Sequence, residues 1–392
     1  MSPAGLVCSV CEHDLGATVL EIDSVPALAN ALWPDAESAR SAQRGAIDLR
    51  LCDGCGLLTN VAFDPELVAY GPAYENSLHF SATFAEYAAC LAQRLVDAHG
   101  IRNAEVVEVG SGKGEFLALL CELGANRGVG YDPSYDGPSE VAAGQGSVRF
   151  VPALYPDGGE ASTADLVCCR HVLEHQQEPA ELLARVASAL DGGKAVAYFE
   201  VPDARYMVEQ SAVWDVIYEH PQYFSAWSLS ALCRATGFAP LEVRSTYGDQ
   251  FLGLDAAWPH RGSSDDRHPD APSDWRRAVT RFGERFAATV DAWQTRLVEL
   301  QRAGASIALW GAGSKGISFL NLVPAAAEIA RVVDVNPRKR GLYVPGTAHR
   351  ISAPEDVAGA ELDVVVVLNP LYEAEIRQRL AGLGVEAETV VV

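Results

Sequence analysis

No run of about eighteen apolar residues occurs in this chain, so no helix is expected to cross a membrane. No basic stretch followed by a long apolar one opens it, so no secretory leader is expected. Positive charge is scarce. Thirty Lys and Arg face 52 Asp and Glu, a net charge of −22, and phosphate backbones need a basic face. A general nucleic-acid partner is therefore excluded. Apolar residues are plentiful: 49% of 392 residues, enough for two or three domains with their own cores. A cytoplasmic enzyme acting on a small molecule is expected.

Nine cysteines are present, and four form a pattern. Cys8-Ser-Val-Cys11 and Cys52-Asp-Gly-Cys55 make two C-x₂-C knuckles, each able to set two sulfurs on one side of a tetrahedral ion. Two disulfides or four free thiols are the alternatives, and a cytosolic chain disfavours disulfides. Zinc on Cys8, Cys11, Cys52 and Cys55 is expected. Four protein ligands leave no open position, so the zinc would be structural. The other five cysteines lie in apolar patterns and read as small buried hydrophobes.

The most informative segment is Val106-Val-Glu-Val-Gly-Ser-Gly-Lys-Gly-Glu-Phe-Leu117. An apolar strand ends in an acid, turns through glycines and enters a helical pattern. Gly110, Gly112 and Gly114 lack a Cβ, so the backbone can turn sharply and approach a ligand. About twenty residues on, Arg127-Gly-Val-Gly-Tyr-Asp132 reads as a second strand ending in an acid suited to ribose hydroxyls. The spacing is neither G-x-G-x-x-G nor a P-loop, although a dinucleotide fold with a shortened turn stays open.

The pattern E-x-G-x-G-x-G resembles the first motif of class I S-adenosylmethionine-dependent methyltransferases. That resemblance implies that Glu108, Gly110, Gly112 and Asp132 hold the cofactor. Further strands are expected at 147–151, 164–170 and 195–201, with a helix over 180–190 closed by Gly192-Gly193. No acid follows the third strand, where the family often binds the adenine amino group. His171-Val-Leu-Glu-His175 resembles the later motif that borders the sulfonium, which assigns His171 to the cofactor pocket. His171 and His175 flank Glu174 at ligand-like spacing, but the sequence offers no third ligand. Lys113 reads as a solvent-facing loop residue.

Four segments emerge. Residues 1–75 form the zinc module and 76–260 the methyltransferase domain, which opens on a long helix through about His99. Residues 261–302 give a polar linker, then a helix with Val279, Phe282, Phe286, Val290, Trp293 and Leu297 on one face. A second α/β unit follows over 303–392. Its strand enters Gly311-Ala-Gly-Ser-Lys-Gly316, and Asp334-Val-Asn-Pro-Arg-Lys-Arg-Gly-Leu-Tyr-Val-Pro-Gly346 follows its second strand. Lys315, Arg338, Lys339 and Arg340 are candidates for an anionic substrate part, and a solvated loop is the alternative for the last three.

In this order, the segments resemble the three-domain zinc-containing sugar C-methyltransferases. The implied fold is α/β: a Rossmann-like methyltransferase core between a zinc module and a second Rossmann-like domain. The implied reaction is methylation of a carbon beside the ketone of a nucleotide-linked deoxysugar, with the substrate between the last two domains. The family segment Y-H-E-H-x-x-Y-F-S corresponds to Ile217-Tyr-Glu-His-Pro-Gln-Tyr-Phe-Ser225. His220 takes the place of the general base and Glu219 that of its acidic neighbour, while Tyr223 and Phe224 match the substrate side. The leading Tyr falls on Ile217, and Tyr218 stands where a His is usual. Tyr218 is therefore expected to serve the developing enolate. The family's H-G-G-S-x-R is replaced by Tyr247-Gly-Asp-Gln-Phe-Leu-Gly-Leu-Asp255. An O- or N-methyltransferase on the same scaffold is the alternative.

A neutral histidine suits proton removal, because its pKa lies near working pH. Three consecutive residues cannot share one strand face, so 218–220 must be a loop or a helix start.

Overall fold

The computed structural model describes residues 6–71, 73–155, 164–190, 195–258 and 271–392. The expected Gly192-Gly193 stop and most of the expected linker, 261–270, lie outside them.

Three sheets organise the chain. The central one has eight strands. From one edge they are Ala239–Thr246, Phe251–Trp258, Ala195–Pro202, Leu166–Arg170, Glu105–Val109, Arg127–Tyr131, Gly146–Val151 and Glu140–Ala143. The inner strands pair in parallel. Their nearly continuous apolar runs suit burial on both faces. Leu166–Arg170 is buried along its whole length. The last two strands to join, 239–246 and 251–258, run antiparallel at one edge, and the unforeseen hairpin strand Glu140–Ala143 closes the other. This is the class I methyltransferase topology.

The C-terminal sheet is fully parallel: Ile351–Ser352, Arg331–Val333, Ile307–Trp310, Val364–Val367 and Glu388–Val391. Chain order reverses beside Ile307–Trp310. Ligands of such sheets bind at that switch point.

The N-terminal sheet is antiparallel. It combines Leu15–Pro26, Arg44–Cys52 and Leu58–Asn60 with a fourth strand from far along the chain, Gln222–Tyr223. The expected boundary at residue 75 is thus bridged by a strand of the central segment. The helix Ser273–Arg302 also joins this lobe. Its buried Trp275 donates Nε1–H to the Gly56 carbonyl at 3.0 Å, and Phe282 and Phe286 share one core with Leu20, Ile47 and Phe319.

The central and C-terminal lobes are joined by polar contacts. Tyr247 donates to the Tyr372 hydroxyl at 2.6 Å, and Gln250 and Asn369 exchange two amide hydrogen bonds at 2.9 and 3.0 Å. Glu375 caps the helix Ala82–His99 from the other lobe. It accepts from Ser81 Oγ at 2.7 Å, Thr83 Oγ1 at 2.8 Å and Thr83 N at 3.1 Å. A carboxylate there satisfies helix N–H groups and meets the positive end of the helix dipole. Burial would raise the pKa of Glu375, but the hydrogen bonds from Ser81 and Thr83 outweigh it and hold the group below its ordinary range. Its contribution is therefore present above the ordinary carboxylate pKa and fades as pH falls through the lowered one. Glu375→Ala is expected to cost about 1 kcal/mol, as loss of a cap does, read as a lower denaturation midpoint at neutral pH. The deficit should shrink in acid.

Candidate active site

One cleft of about 480 Å³ is lined by the first glycine turn, the 171–176 turn, the loop carrying His220 and the second glycine turn. It brings together residues from all three lobes.

At one end, Gly110, Gly112 and Gly114 have φ of +73°, +55° and +89°, a region other residues rarely adopt. A Cβ on Gly114 would lie 2.2 Å from the Phe150 ring, whereas one on Gly112 would meet open space. The turn is thus packed on one side and open to a ligand on the other. Asp132 holds its shape: Oδ2 accepts from Gly112 N at 2.8 Å, and Oδ1 accepts from Ser134 N and Oγ at 2.7 and 2.6 Å. Lys113 is not solvent-facing as expected. Its ammonium donates to the Ser134 carbonyl at 2.7 Å and to Asp136 at 3.0 Å, strapping the turn to the next loop. Glu108 is buried with Oε2 unpartnered, and burial pushes its pKa up to about 8. Ser111 Oγ is also buried without a partner. An open cradle with orphaned polar atoms fits a polar ligand of the size of S-adenosylmethionine.

His171 follows the buried strand 166–170 at φ +54°. Its ring lies between Glu200, with Nε2 at 3.2 Å, and Glu174, with Nδ1 at 3.4 Å. Burial would lower the pKa of His171, but the two carboxylates outweigh it and raise it to about 9. Arg170 pairs with Glu200 at 2.8 Å and lies over the Phe116 ring at 3.9 Å.

His220 lines the cleft beside His175, ring centroids 4.6 Å apart. Burial, and then the positive charge of His175 and His171, hold its pKa well below the ordinary value, so its ring is neutral. His175 Nδ1 lies 2.7 Å from the Tyr70 hydroxyl and 2.9 Å from the Glu219 carbonyl oxygen. The Glu219 carboxyl is buried beside Tyr74, outside the cleft lining, and burial raises its pKa.

Several expected positions need correction. Tyr218 faces the N-terminal lobe: its ring packs 5.3 Å from Phe63, and its hydroxyl accepts from Asp64 N at 2.7 Å. The turn thus sends the Tyr218 ring into the N-terminal lobe and the His220 ring into the cleft. The cleft tyrosines beside His220 are Tyr70, Tyr74 and Tyr223. The Tyr223 hydroxyl is spent on Ile217, donating to its carbonyl at 2.9 Å and accepting from its N–H at 3.1 Å. Phe224 is fully buried with Phe199 and Leu229 in the core of the central sheet and does not line the cleft. Lys315 does line it, paired with Asp215 at 2.6 Å. Arg338 does not. It pairs with Glu75 at 3.4 Å and with Glu115 at 3.6 Å, over the Phe80 ring, and so stands behind Glu115 and Phe80, which line the cleft. Its neighbour Lys339 is the buried cleft cation, with Nζ donating to the Ala312 carbonyl at 2.9 Å. The basic run 338–340 made both residues candidates; the turn puts Lys339 in the lining. Nothing local marks Tyr70.

The four cysteines converge in the N-terminal lobe. Cys8 and Cys55 sulfurs are 3.6 Å apart, Cys11 and Cys52 sulfurs 3.4 Å apart, and all four lie within 4.8 Å of one another.

Residues 81–243 match a family model described as a methyltransferase domain, and 271–392 match one described as the C-methyltransferase C-terminal domain. The chain is 28% identical over 389 residues to the C-methyltransferase NovU of Streptomyces niveus, covering 94% of this chain and 90% of that one. Among solved structures, it is similar to the Burkholderia thailandensis 1,6-didemethyltoxoflavin-N1-methyltransferase with bound S-adenosylhomocysteine. There the identity is 22%, over 45% of this chain and 80% of that chain, with TM-score 0.34. The Synechocystis magnesium protoporphyrin IX methyltransferase with bound S-adenosylmethionine is 17% identical, over 45% of this chain and 79% of that one, with TM-score 0.34.

Asp132→Ala removes both the acceptor that fixes Gly112 and the carboxylate offered to a ribose. In calorimetry, S-adenosylhomocysteine affinity is expected to fall roughly 10- to 150-fold, the equivalent of losing hydrogen bonds to a charged group. Unchanged affinity would move the cofactor site elsewhere.

Proposed function

The chain belongs to the S-adenosylmethionine-dependent C-methyltransferases, and on that premise we propose that it methylates a carbon beside the ketone of a nucleotide-linked deoxysugar, with His220 as general base. The observation that carries this reading is the shared cleft: a neutral, half-buried His220 faces the same cavity as the open glycine cradle.

In this reading, Glu108, Gly110, Gly112 and Asp132 hold S-adenosylmethionine, and His171 borders it. When bound, the cofactor supplies a methyl group already activated by a sulfonium. His220 takes the proton from the carbon beside the ketone, and the electron pair left behind forms the new bond to the methyl carbon. The carbon–sulfur bond breaks toward sulfur. Neutral rings suit this work, and alignment in the cleft supplies much of the rate. Because Tyr218 points away, the donor assigned to an enolate oxygen at His220 is the Tyr70 hydroxyl, which lines the cleft. Glu219 acts on His220 through the backbone turn and buried charge, as its carboxyl stands outside the cleft lining.

The nucleotide part is assigned to the second glycine turn. Gly311 and Gly313 face open space, and Lys315 and Lys339 line that end. The family's H-G-G-S-x-R is absent, and this keeps O- or N-methylation as the second reading, since His220 could equally deprotonate a hydroxyl.

The cysteine group is assigned a structural zinc. Four ligands about 2.3 Å from one ion lie roughly 3.8 Å apart, close to the separations seen and far from disulfide length. Cys11 is held well below the ordinary thiol range by hydrogen bonds from Cys52, Cys55 and Cys8, which suits a thiolate ligand. All nine cysteines are free, in keeping with a reducing, cytoplasmic setting. No helix among the described residues is long and apolar enough to cross a membrane.

His220→Ala is expected to lower kcat/KM by about 10²- to 10⁴-fold while S-adenosylhomocysteine affinity holds. Retained turnover would remove the base assignment. A ¹³C-methyl label followed by NMR of the product should show a carbon-bound methyl; an oxygen- or nitrogen-bound one would select the second reading.

A further inference from the structure

We propose that Glu174, His175 and His220 form a second metal site, separate from the cysteine group, for a borderline divalent cation such as Zn²⁺, Co²⁺ or Ni²⁺. One ligand atom from each of the three lies within 4.8 Å of the others. They come from two turns that the fold brings together, Leu173–His175 after the buried strand 166–170 and the loop before Gln222–Tyr223. Of the two histidines spaced i, i+4 in the sequence only His175 joins this group, and the fold brings His220 to it as the second imidazole.

Three observations point to a cation. Glu174 is 1% exposed, and neither of its carboxylate oxygens accepts a hydrogen bond. Its ion-pair contact among the described residues is His171 Nδ1, a long 3.4 Å. The His171 ring answers only Oε1, and from a distance, so Oε2 keeps its acceptor capacity for a cation. His175 is held at Nδ1 by the Tyr70 hydroxyl and the Glu219 carbonyl, the outer contacts that orient a metal-binding imidazole and leave its Nε2 free. Among the described residues, the His220 ring has no hydrogen bond at all. Two imidazoles and a carboxylate are an open, mixed donor set that suits borderline metals. Magnesium and calcium prefer oxygen alone. All three side chains line the cleft, so the remaining positions face substrate or water.

The consequence rests on the reading of His220 as base. A cation on its ring nitrogen takes the lone pair that proton removal needs, so filling this site silences methyl transfer and emptying it restores activity.

The test uses the full-length enzyme with zinc in its cysteine group. After brief treatment with EDTA, cobalt(II) is titrated and followed by absorbance. The expected result is one added equivalent with visible d–d bands and no near-ultraviolet thiolate charge-transfer band. It should be accompanied by at least a tenfold loss of turnover that EDTA reverses. In Glu174→Gln that added equivalent should be lost. Should that variant misfold, anomalous diffraction from cobalt-soaked wild-type crystals gives the same answer: a peak among Glu174, His175 and His220 is expected. A peak at the cysteines alone overturns the site and leaves the base reading untouched. Cobalt bound at the triad with full turnover overturns the inhibition and counts against His220 as base.

Discussion

Two residues of strand pairing fix the chemistry of this enzyme in space. Gln222 and Tyr223 pair with Thr59 and Leu58, and Asn60 donates to the Pro221 carbonyl at 2.8 Å. Thr59 adds a side-chain bond to Gln222 at 2.9 Å. His220 stands immediately before this contact. The strand it rests on begins three residues after Cys55, and the intervening turn is closed by Gly56 N on the Cys52 carbonyl and by Trp275 on the Gly56 carbonyl. The four-cysteine group thus braces the strand on which the His220 loop is seated. An isolated two-residue strand would not hold a loop, but one seated on a sheet clamped by the knuckles and a 30-residue helix can.

The floor beneath His220 is unusually charged for a protein interior. Glu108, Glu174, Glu200 and Glu219 are each at most 2% exposed. Only Glu200 is fully answered: it accepts from Arg170 and from Tyr198 at 2.7 Å, as well as from Tyr87, and although burial opposes it, Arg170 and His171 hold its pKa well below the ordinary range. Breaking such a pair leaves a buried charge and costs about 3–5 kcal/mol. That network offsets the strain of a histidine at φ +54° and holds the His171 ring against Glu200 at 3.2 Å. Glu174 has the His171 ring at 3.4 Å, and burial raises the pKa of Glu108 to about 8 and that of Glu219 above the ordinary range.

What the sequence made legible follows from where the physics is local. The glycine turns could be read because left-handed backbone demands glycine, and the acid at 132 because it must fall at the end of the next strand. The apolar face of the 273–302 helix could be read because its period is set by the helix itself; Val290 and Trp293 pack against the core it predicted. The orientation of 218–220 could not be read, because it depends on a strand pairing across more than 150 residues. The same holds for Tyr70, and for Glu375, which caps a helix 294 residues away. The family template carried Tyr218 into the site by position, while the turn turned it out. The basic run 338–340 could be read, but not which cation enters the cleft: in the turn Pro337–Lys339, Lys339 is buried in the lining and Arg338 is not part of it.

The two glycine turns share a design and differ in charge. In the first, Asp132 accepts from Gly112 N and from Ser134 N two residues on; in the second, Asp334 accepts from Ala312 N at 2.7 Å and from Asn336 N at 2.8 Å. Beside the first stands a buried carboxyl, Glu108, with an unanswered oxygen. Beside the second stands a buried ammonium, Lys339, bonded to the turn's own carbonyl and 3.6 Å from Asp334. Similar backbones thus carry unlike side chains: a buried carboxyl raised by burial to a pKa of about 8 at one end of the cleft, and a buried ammonium with a second, Lys315, at the other.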